Sequence, residues 1–162
     1  PITRACMGYH LWNMAGLGQH GDQIEAAVTA ARIAASDASG AIFAPLAMGG
    51  AGGLRASGLP LERLNRWLDG MDSAILTAMR HLDGIEVWGV RAKSAMAQLS
   101  GRTPVALRKV LTEWPLTSAP MAEALTGASR AAVQRNLVRL EESGLIREMT
   151  GQGRFRMWRI DI

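Results

Sequence analysis

The sequence contains a single cysteine, Cys6, so the chain can form no internal disulfide bond. Disulfides are rare in reducing compartments, and their absence fits a cytosolic protein. The sequence also lacks any run of about eighteen apolar residues, which excludes an ordinary membrane-spanning helix. Its first residues show no charged segment followed by an apolar stretch and a cleavage site, the pattern of a secretory signal. These absences predict a cytoplasmic protein without a membrane partner.

The sequence also lacks the motifs of common enzyme classes. Six glycines lie between residues 40 and 58, but the stretch from Met48 to Arg55 has neither the Gly-Lys-Ser/Thr of a P-loop nor the spacing of a dinucleotide-binding turn. This segment is therefore predicted to be a flexible or irregular loop. No Gly-x-Ser-x-Gly motif occurs, and no set of Ser, His and Asp follows from spacing. We expect a protein that is not an enzyme.

Histidine is scarce, and the three histidines form no metal-binding pattern. Cys6, His10 and His20 match no closed zinc spacing, and His81 lies far away in the sequence. Packed or surface histidines explain them better than metal ligands. The sequence predicts no bound metal and no cofactor, and no small-molecule ligand is evident.

Enough apolar material is present for a folded core, with 48% hydrophobic residues in 162. The chain begins with Pro1-Ile2 rather than methionine, so we expect a fragment or a processed chain whose missing part could hold further functions. The net charge of +4 is uneven, because residues 1–60 are neutral, residues 61–102 have net +1 and residues 103–162 have net +3. A cationic C-terminal part attracts polyanions, and salt weakens that attraction.

Residues 103–162 carry the order of elements of a winged helix-turn-helix. Thr103-Pro104 is a typical helix start, and this helix is predicted to run to about Glu113. A short helix over about 119–125 is predicted to end at Gly127, which supplies the turn. A second helix over about 128–143 follows, with Ser129 as its N-cap. Its packed stripe consists of Val133, Leu137 and Leu140.

Two predicted strands complete this domain. Residues 145–149 and 154–160 are joined by the Gly-rich segment Thr150-Gly151-Gln152-Gly153, a pattern typical of a hairpin wing. Polar and basic side chains lie on the free face of the second helix and on the wing, where they suit the major groove and the phosphate backbone of duplex DNA. The predicted DNA-binding residues are Ser129, Arg130, Gln134, Arg135, Arg139, Gln152, Arg154 and Arg156.

The first 102 residues are predicted to form a separate helical region. Residues 22–38 are rich in alanine and place apolar residues on one face, as in a closely packed helix. From Leu61 to Leu99 apolar residues recur at spacings of three and four, a pattern that we call the heptad seam. We expect one helix over about 61–82, a break near Asp83-Gly84, and another helix over about 85–99. The heptad seam comprises Leu61, Leu64, Leu68, Met71, Ile75, Ala78, Leu82, Ile85, Gly89, Ala92, Met96 and Leu99.

The heptad seam has two interpretations. It packs on the 22–38 helix within one chain, or it joins two chains in a homodimer whose paired recognition helices bind a two-fold DNA site. The sequence favours neither. In both cases we expect a mostly α protein, with a helical region over 1–102 and a C-terminal winged helix-turn-helix over 103–162 that has a small β-hairpin wing.

The stretch SAPMAEALTGASRAAVQRNLVRLEESGLIREMTGQGRFRMW resembles the winged helix of an uncharacterised rhizobial-type, alphaproteobacterial family of helix-turn-helix proteins. The stretches FAPLAMGGAGGLRASG and RLNRWLDGMDSAILTAMRHLDGIEVW resemble the same family. The patterns LTGASRAAV, LVRLEESGLIRE and TGQGRFR are also similar to the winged-helix tails of Fic-family proteins. The Fic catalytic motif, His-Pro-Phe followed by a Gly-Asn-Gly-Arg loop, is absent, so the resemblance does not imply adenylyl transfer. It implies a DNA-binding module.

These observations predict a DNA-binding protein that acts in transcriptional regulation, with double-stranded DNA as its partner. Two alternatives stay open. A winged helix can be reused for protein contacts, which would make the chain a protein-interaction scaffold. The chain could also be the regulatory tail of a longer Fic-like protein.

Overall fold

The computed structural model describes residues 1–18, 23–97, 99 and 101–162. The chain divides into two compact units, Pro1–Arg80 and His81–Ile162. The second unit begins well before the domain boundary predicted at residue 102, because Trp88, Ala92 and Met96 belong to its core. Ser100, next to that predicted boundary, lies outside the described residues.

The first unit contains two helices, α1 (Ile2–Met14) and α2 (Gln23–Ala34), and the beginning of a long helix, α3 (Pro60–Met96). Helix α2 corresponds to the helix predicted over 22–38 but ends at Ala34, four residues earlier than predicted, and the predicted first residue, Asp22, lies outside the described residues. Its alanines allow close packing against α1 as predicted. The core of this unit comprises Ala5, Cys6, Tyr9, Ala26, Ala30, Ala31, Leu46, Trp67 and Met71. Burial raises the pKa of the Cys6 thiol.

The Gly-rich segment is more ordered than the loop predicted from sequence. It contains two short 3₁₀ turns, Leu46–Gly49 and Ala51–Leu54. A Cβ atom added at Gly49 would lie 2.0 Å from the carbonyl oxygen of Gly70, so only glycine fits there. The glycines therefore let this segment approach the backbone of α3.

Helix α3 is continuous over 37 residues, so the break predicted near Asp83-Gly84 is wrong. A single glycine inside a helix costs only about 1 kcal/mol relative to alanine, which tertiary packing can offset. Here the missing side chain has a packing role, since a Cβ atom at Gly84 would lie 3.2 Å from Cβ of Ile162. One turn later, Trp88 is fully buried in the second unit.

The heptad seam is only partly buried by the chain itself. Met71 is buried in the same core as Ala26 and Ala30 of α2, as the interpretation of packing within one chain predicts, whereas Ala92 and Met96 are buried in the core of the second unit and not against α2. Leu61, Leu68 and Ile75 of the seam stay open to solvent. Together with Met79, which is not a seam residue but lies on the same side of α3, we call them the exposed stripe of the first unit, and their exposed fractions run from 40% to 67%.

The second unit continues after α3 with α4 (Thr103–Glu113), β1 (Thr117–Ser118), α5 (Ala119–Thr126), α6 (Arg130–Glu142), β2 (Ile146–Glu148) and β3 (Met157–Ile160). The three strands form an antiparallel sheet in the order β1-β3-β2. Thr117 pairs with Trp158, and Arg147 pairs with Arg159. The predicted fold class is confirmed, because the protein is mostly helical and its C-terminal part has the element order of a winged helix-turn-helix.

One apolar core holds the second unit together. Trp88 donates a hydrogen bond from Nε1 to the carbonyl oxygen of Leu145 at 2.6 Å, which joins α3 to the residue before β2. Around it lie the buried faces of α4, α5 and α6 and of the sheet. These include Leu107, Leu111, Ala122, Val133, Leu137, Leu140, Ile146 and Trp158.

Candidate nucleic-acid interface

The turn between α5 and α6 is built from side chains that satisfy backbone donors. The Ser118 hydroxyl accepts a hydrogen bond from the Met121 amide and caps α5. Gly127 ends α5 with a φ of 66°, a left-handed conformation that suits glycine. The Ser129 hydroxyl accepts from the Ala132 amide at 3.4 Å, which confirms its predicted role as the N-cap of α6. These contacts fix the direction in which α6 leaves the turn.

Helix α6 has one buried and one open face. Val133, Leu137 and Leu140 are buried, so the predicted packed stripe is confirmed. Arg135 and Arg139 are exposed on the other side, one turn apart, and Gln134 is half-buried between the two faces. The helix therefore presents two guanidinium groups on the face that does not pack.

The arginines of α6 differ in their partners. Arg130, at the start of the helix, forms an ion pair from Nε to Oε1 of Glu123 at 3.1 Å, with its side chain 78% exposed. Such surface pairs are weak and exchange readily with water or another anion. Neither Arg135 nor Arg139 has an ion pair with any residue that the structure describes. Their charges are thus available to an external anion.

The connection between β2 and β3 is the wing, and Glu148 holds its first turn. The Glu148 carboxylate accepts hydrogen bonds from the amides of Thr150 and Gly151, both at 2.8 Å, and from the Thr150 hydroxyl. The hydrogen bond from the Thr150 side chain is the main cause that lowers the pKa of Glu148. Gln152 and Arg154 follow and are exposed. The wing thus carries two of the predicted contacts on an ordered turn.

Both strands of the wing are shorter than the sequence predicted. The sequence predicts strands over 145–149 and 154–160, whereas β2 covers Ile146–Glu148 and β3 covers Met157–Ile160. Arg154 and Arg156 therefore lie in the wing connection and not in a strand. In a strand, side chains two residues apart point to the same face. Outside a strand, the Arg154 and Arg156 side chains can point in different directions.

Arg156 is engaged within the fold. One of its terminal nitrogens, Nη2, lies 3.0 Å from both carboxylate oxygens of Glu141, on α6. Its guanidinium carbon lies 4.8 Å from the ring centroid of Trp158, within reach of a cation–π contact. The Trp158 Nε1 also donates to Glu141 at 3.1 Å. Glu141 thus ties the end of the wing to α6, a link across 15 residues that no local sequence signal indicates.

The charge of the chain is concentrated in the unit that holds these elements. Residues 81–162 contain 12 Lys and Arg against eight Asp and Glu, whereas residues 1–80 contain six of each. The whole net charge of +4 therefore belongs to the second unit. A cationic surface of this kind raises the local concentration of polyanions.

The histidines and acidic residues do not form a metal site in the part of the chain that the structure describes. His10 is buried in the first unit with its ring against Tyr9 and Trp67. Burial, followed by the nearby Arg63 and Arg66, lowers the pKa of His10. His20 lies outside the described residues. In the same described part, no helix has the length and apolar character needed to cross a bilayer.

Fold and surface together define a helical protein with a C-terminal winged helix-turn-helix and a basic open face. No protein-family model matches the chain, and neither a curated protein nor a solved structure is found to match it. The similarity to the rhizobial-type family and to the tails of Fic-family proteins therefore stays a prediction.

Proposed function

We propose that this chain binds double-stranded DNA through α6 and the wing and acts as a transcriptional regulator. The observation that carries the proposal is the open face of α6, where Arg135 and Arg139 point away from the buried stripe and have no ion-pair partner in the described chain. An arginine with an unoccupied guanidinium can bind guanine edges or phosphates when such a helix lies in the major groove.

The proposed contacts divide by position. Arg130, Gln134 and Arg135 lie in the first half of α6, which enters the groove most deeply in helix-turn-helix proteins, so we assign them to bases or to positions beside bases. Arg139 lies further along the helix, and we assign it to a phosphate. Ser129 lies at the helix N-terminus, where free backbone amides and the helix dipole favour an anion.

The wing is proposed to reach the neighbouring backbone or minor groove with Gln152 and Arg154. Arg156 takes a different role from the one that the sequence predicted. Since Glu141 and Trp158 already bind its guanidinium, we propose that it positions the wing relative to α6 and makes no strong DNA contact of its own. Bringing it to a phosphate would require breaking its contacts with Glu141.

To test the proposal, fluorescence anisotropy measures the affinity of the wild-type protein for a labelled random duplex at several increasing salt concentrations. Each phosphate that the protein neutralises adds about 0.9 to the slope of log affinity against log salt. With about four such contacts, affinity is expected to fall by about two orders of magnitude between about 50 and about 200 mM salt. Polyglutamate, as an anionic competitor without grooves, is expected to displace the duplex poorly. Absence of binding at low salt would contradict the proposal and favour the scaffold interpretation.

We also propose that α3 joins two copies of the chain. The exposed stripe consists of four large apolar side chains at spacings of seven, seven and four residues, so they share one face of the helix. These side chains are exposed in the part of the chain that the structure describes, whereas Met71 of the heptad seam is buried in the first unit. We therefore assign packing within the chain to Met71 and the contact between two copies to the exposed stripe.

The homodimer is tested by light scattering on the eluting peak of a gel-filtration column. Leu68→Lys/Ile75→Lys is expected to shift the protein from dimer to monomer at micromolar concentration, because two charges would face each other across the stripe. The matched control is Leu76→Lys/Val87→Lys, which changes two exposed α3 side chains that lie roughly 60° to 120° around the helix from the members of the exposed stripe. A wild-type protein that elutes as a monomer would contradict the dimer.

A further inference from the structure

Phe155, at the end of the wing connection, has two unusual properties. Its side chain is 87% exposed, the largest exposed fraction among the big hydrophobic residues of the described chain. Its φ is +59°, and in that part of the chain it is the one residue other than glycine with a positive φ. A bulky side chain rarely adopts this conformation, and strained residues of this kind concentrate where a protein binds a ligand.

Phe155 lies between two parts of the wing that are held in place, Thr150-Gly151 before it and Arg156 directly after it. On one side, Glu148 binds Thr150 and Gly151 and closes the first turn of the wing. On the other side, Arg156 is bound to Glu141 and lies over Trp158. The backbone after Phe155 is thus held directly by the contacts of Arg156, and the backbone before it is held from Gly151. The ring is displayed by a supported backbone and does not pack into the core.

The surroundings of the ring indicate the chemistry of its partner. Arg154, directly before Phe155, is exposed and has no ion pair with any described residue. Gln152 is exposed on the same connection. An aromatic ring beside a free cation and an amide suits a partner that offers both anionic groups and flat apolar surfaces. Duplex DNA offers phosphates and, between its base pairs, such surfaces.

We propose that Phe155 inserts its ring between two base pairs from the minor groove and kinks the duplex. The inference rests on the proposed DNA-binding function and adds a residue and a mode of binding to it. Arg154 would neutralise a phosphate beside the kink while the ring takes the place of base stacking. The protein then prefers steps that unstack easily, such as TA and CA, over stiff A-tracts.

The experiment uses the full chain and duplexes of about 30 base pairs that carry a donor and an acceptor dye at their ends. One duplex contains TA steps and the other an A-tract of the same length. Wild-type protein is expected to increase energy transfer on the TA duplex, because a kink brings the ends together. Phe155→Ala and Phe155→Gly are expected to bind about 5- to 10-fold more weakly and to leave energy transfer near that of free DNA. Glycine adopts a positive φ without strain, so Phe155→Gly removes the ring without destabilising the backbone of the wing. An effect shared by Phe155→Gly and Phe155→Ala is therefore due to loss of the ring and not to a change in folding.

Anisotropy on the same duplexes separates the insertion of Phe155 from the proposed DNA binding itself. Because Phe155 is uncharged, its removal is expected to leave the salt slope unchanged, whereas Arg154→Ala is expected to lower that slope by about one. Phe155→Trp is expected to restore the kink, and Met149→Ala, a control at another exposed apolar residue of the wing, to keep it. Equal energy transfer for wild type and Phe155→Ala, with DNA binding intact, would overturn the insertion and leave the proposed function standing. If the wild type binds no duplex, both are overturned, and Phe155 is assigned to a protein contact.

Discussion

The Trp88→Ala variant is expected to unfold with a free energy about 3–5 kcal/mol below that of the wild type. Trp88 is fully buried, and it is the largest side chain that α3 contributes to the core of the second unit. Its removal creates a cavity between α3 and the winged helix. It also removes the donor to the carbonyl oxygen of Leu145, and an unpaired buried carbonyl costs about 1–3 kcal/mol of that total.

Urea denaturation followed by circular dichroism measures this loss. Trp88→Phe keeps most of the apolar contact and loses only the indole donor, so about 1–3 kcal/mol is expected. Val87→Ala, at an exposed neighbour on the same helix, is expected to change stability by less than about 0.5 kcal/mol. A change below about 1 kcal/mol for Trp88→Ala would show that this part of α3 does not stabilise the second unit. The domain boundary predicted near residue 102 would then be preferred.

The Arg130→Ala/Arg135→Ala variant is expected to bind a labelled duplex about 10- to 100-fold more weakly than the wild type at about 100 mM salt. Each arginine contributes a charge, and one that binds a guanine edge contributes about 1–3 kcal/mol of preference for that base. Loss of Arg130 also leaves the Glu123 carboxylate without its ion-pair partner beside α6. That negative charge would repel the phosphates, so the two effects act in the same direction.

The matched control is Arg32→Ala/Arg55→Ala. It removes the same number of charges from two exposed arginines of the first unit, outside the proposed interface. We expect its affinity to stay within about threefold of the wild type, since neither residue belongs to the proposed interface and salt screens exposed charges that do not contact the phosphates. Equal losses for both double variants would mean that net charge alone governs binding, and α6 would lose its assigned role. Arg135→Ala tested on several sequences separates a base contact, with a relaxed preference at one position, from a phosphate contact, with a uniform loss.

Much of the second unit could be predicted from sequence because its signals are local. A hydroxyl that caps a helix, a glycine that ends one and a stripe at spacings of three and four depend on residues within about one turn of each other. Ser129, Gly127 and the stripe from Val133 to Leu140 therefore occupy the predicted positions. The same local signals wrongly predict a helix break at Gly84. A glycine destabilises a helix only slightly, and the packing that favours glycine here involves Ile162, which is far away in the sequence.

The helical class of the protein, the order of elements in its winged helix-turn-helix and the concentration of positive charge in that part of the chain follow from the amino-acid sequence alone. How each side chain is used depends on the tertiary structure. It engages Arg156 with Glu141, leaves Arg135 and Arg139 open, and displays Phe155 on a strained backbone. The physical reason is distance along the chain. Periodicity and propensity describe near neighbours, whereas an ion pair or a buried face depends on which distant segments the fold brings together.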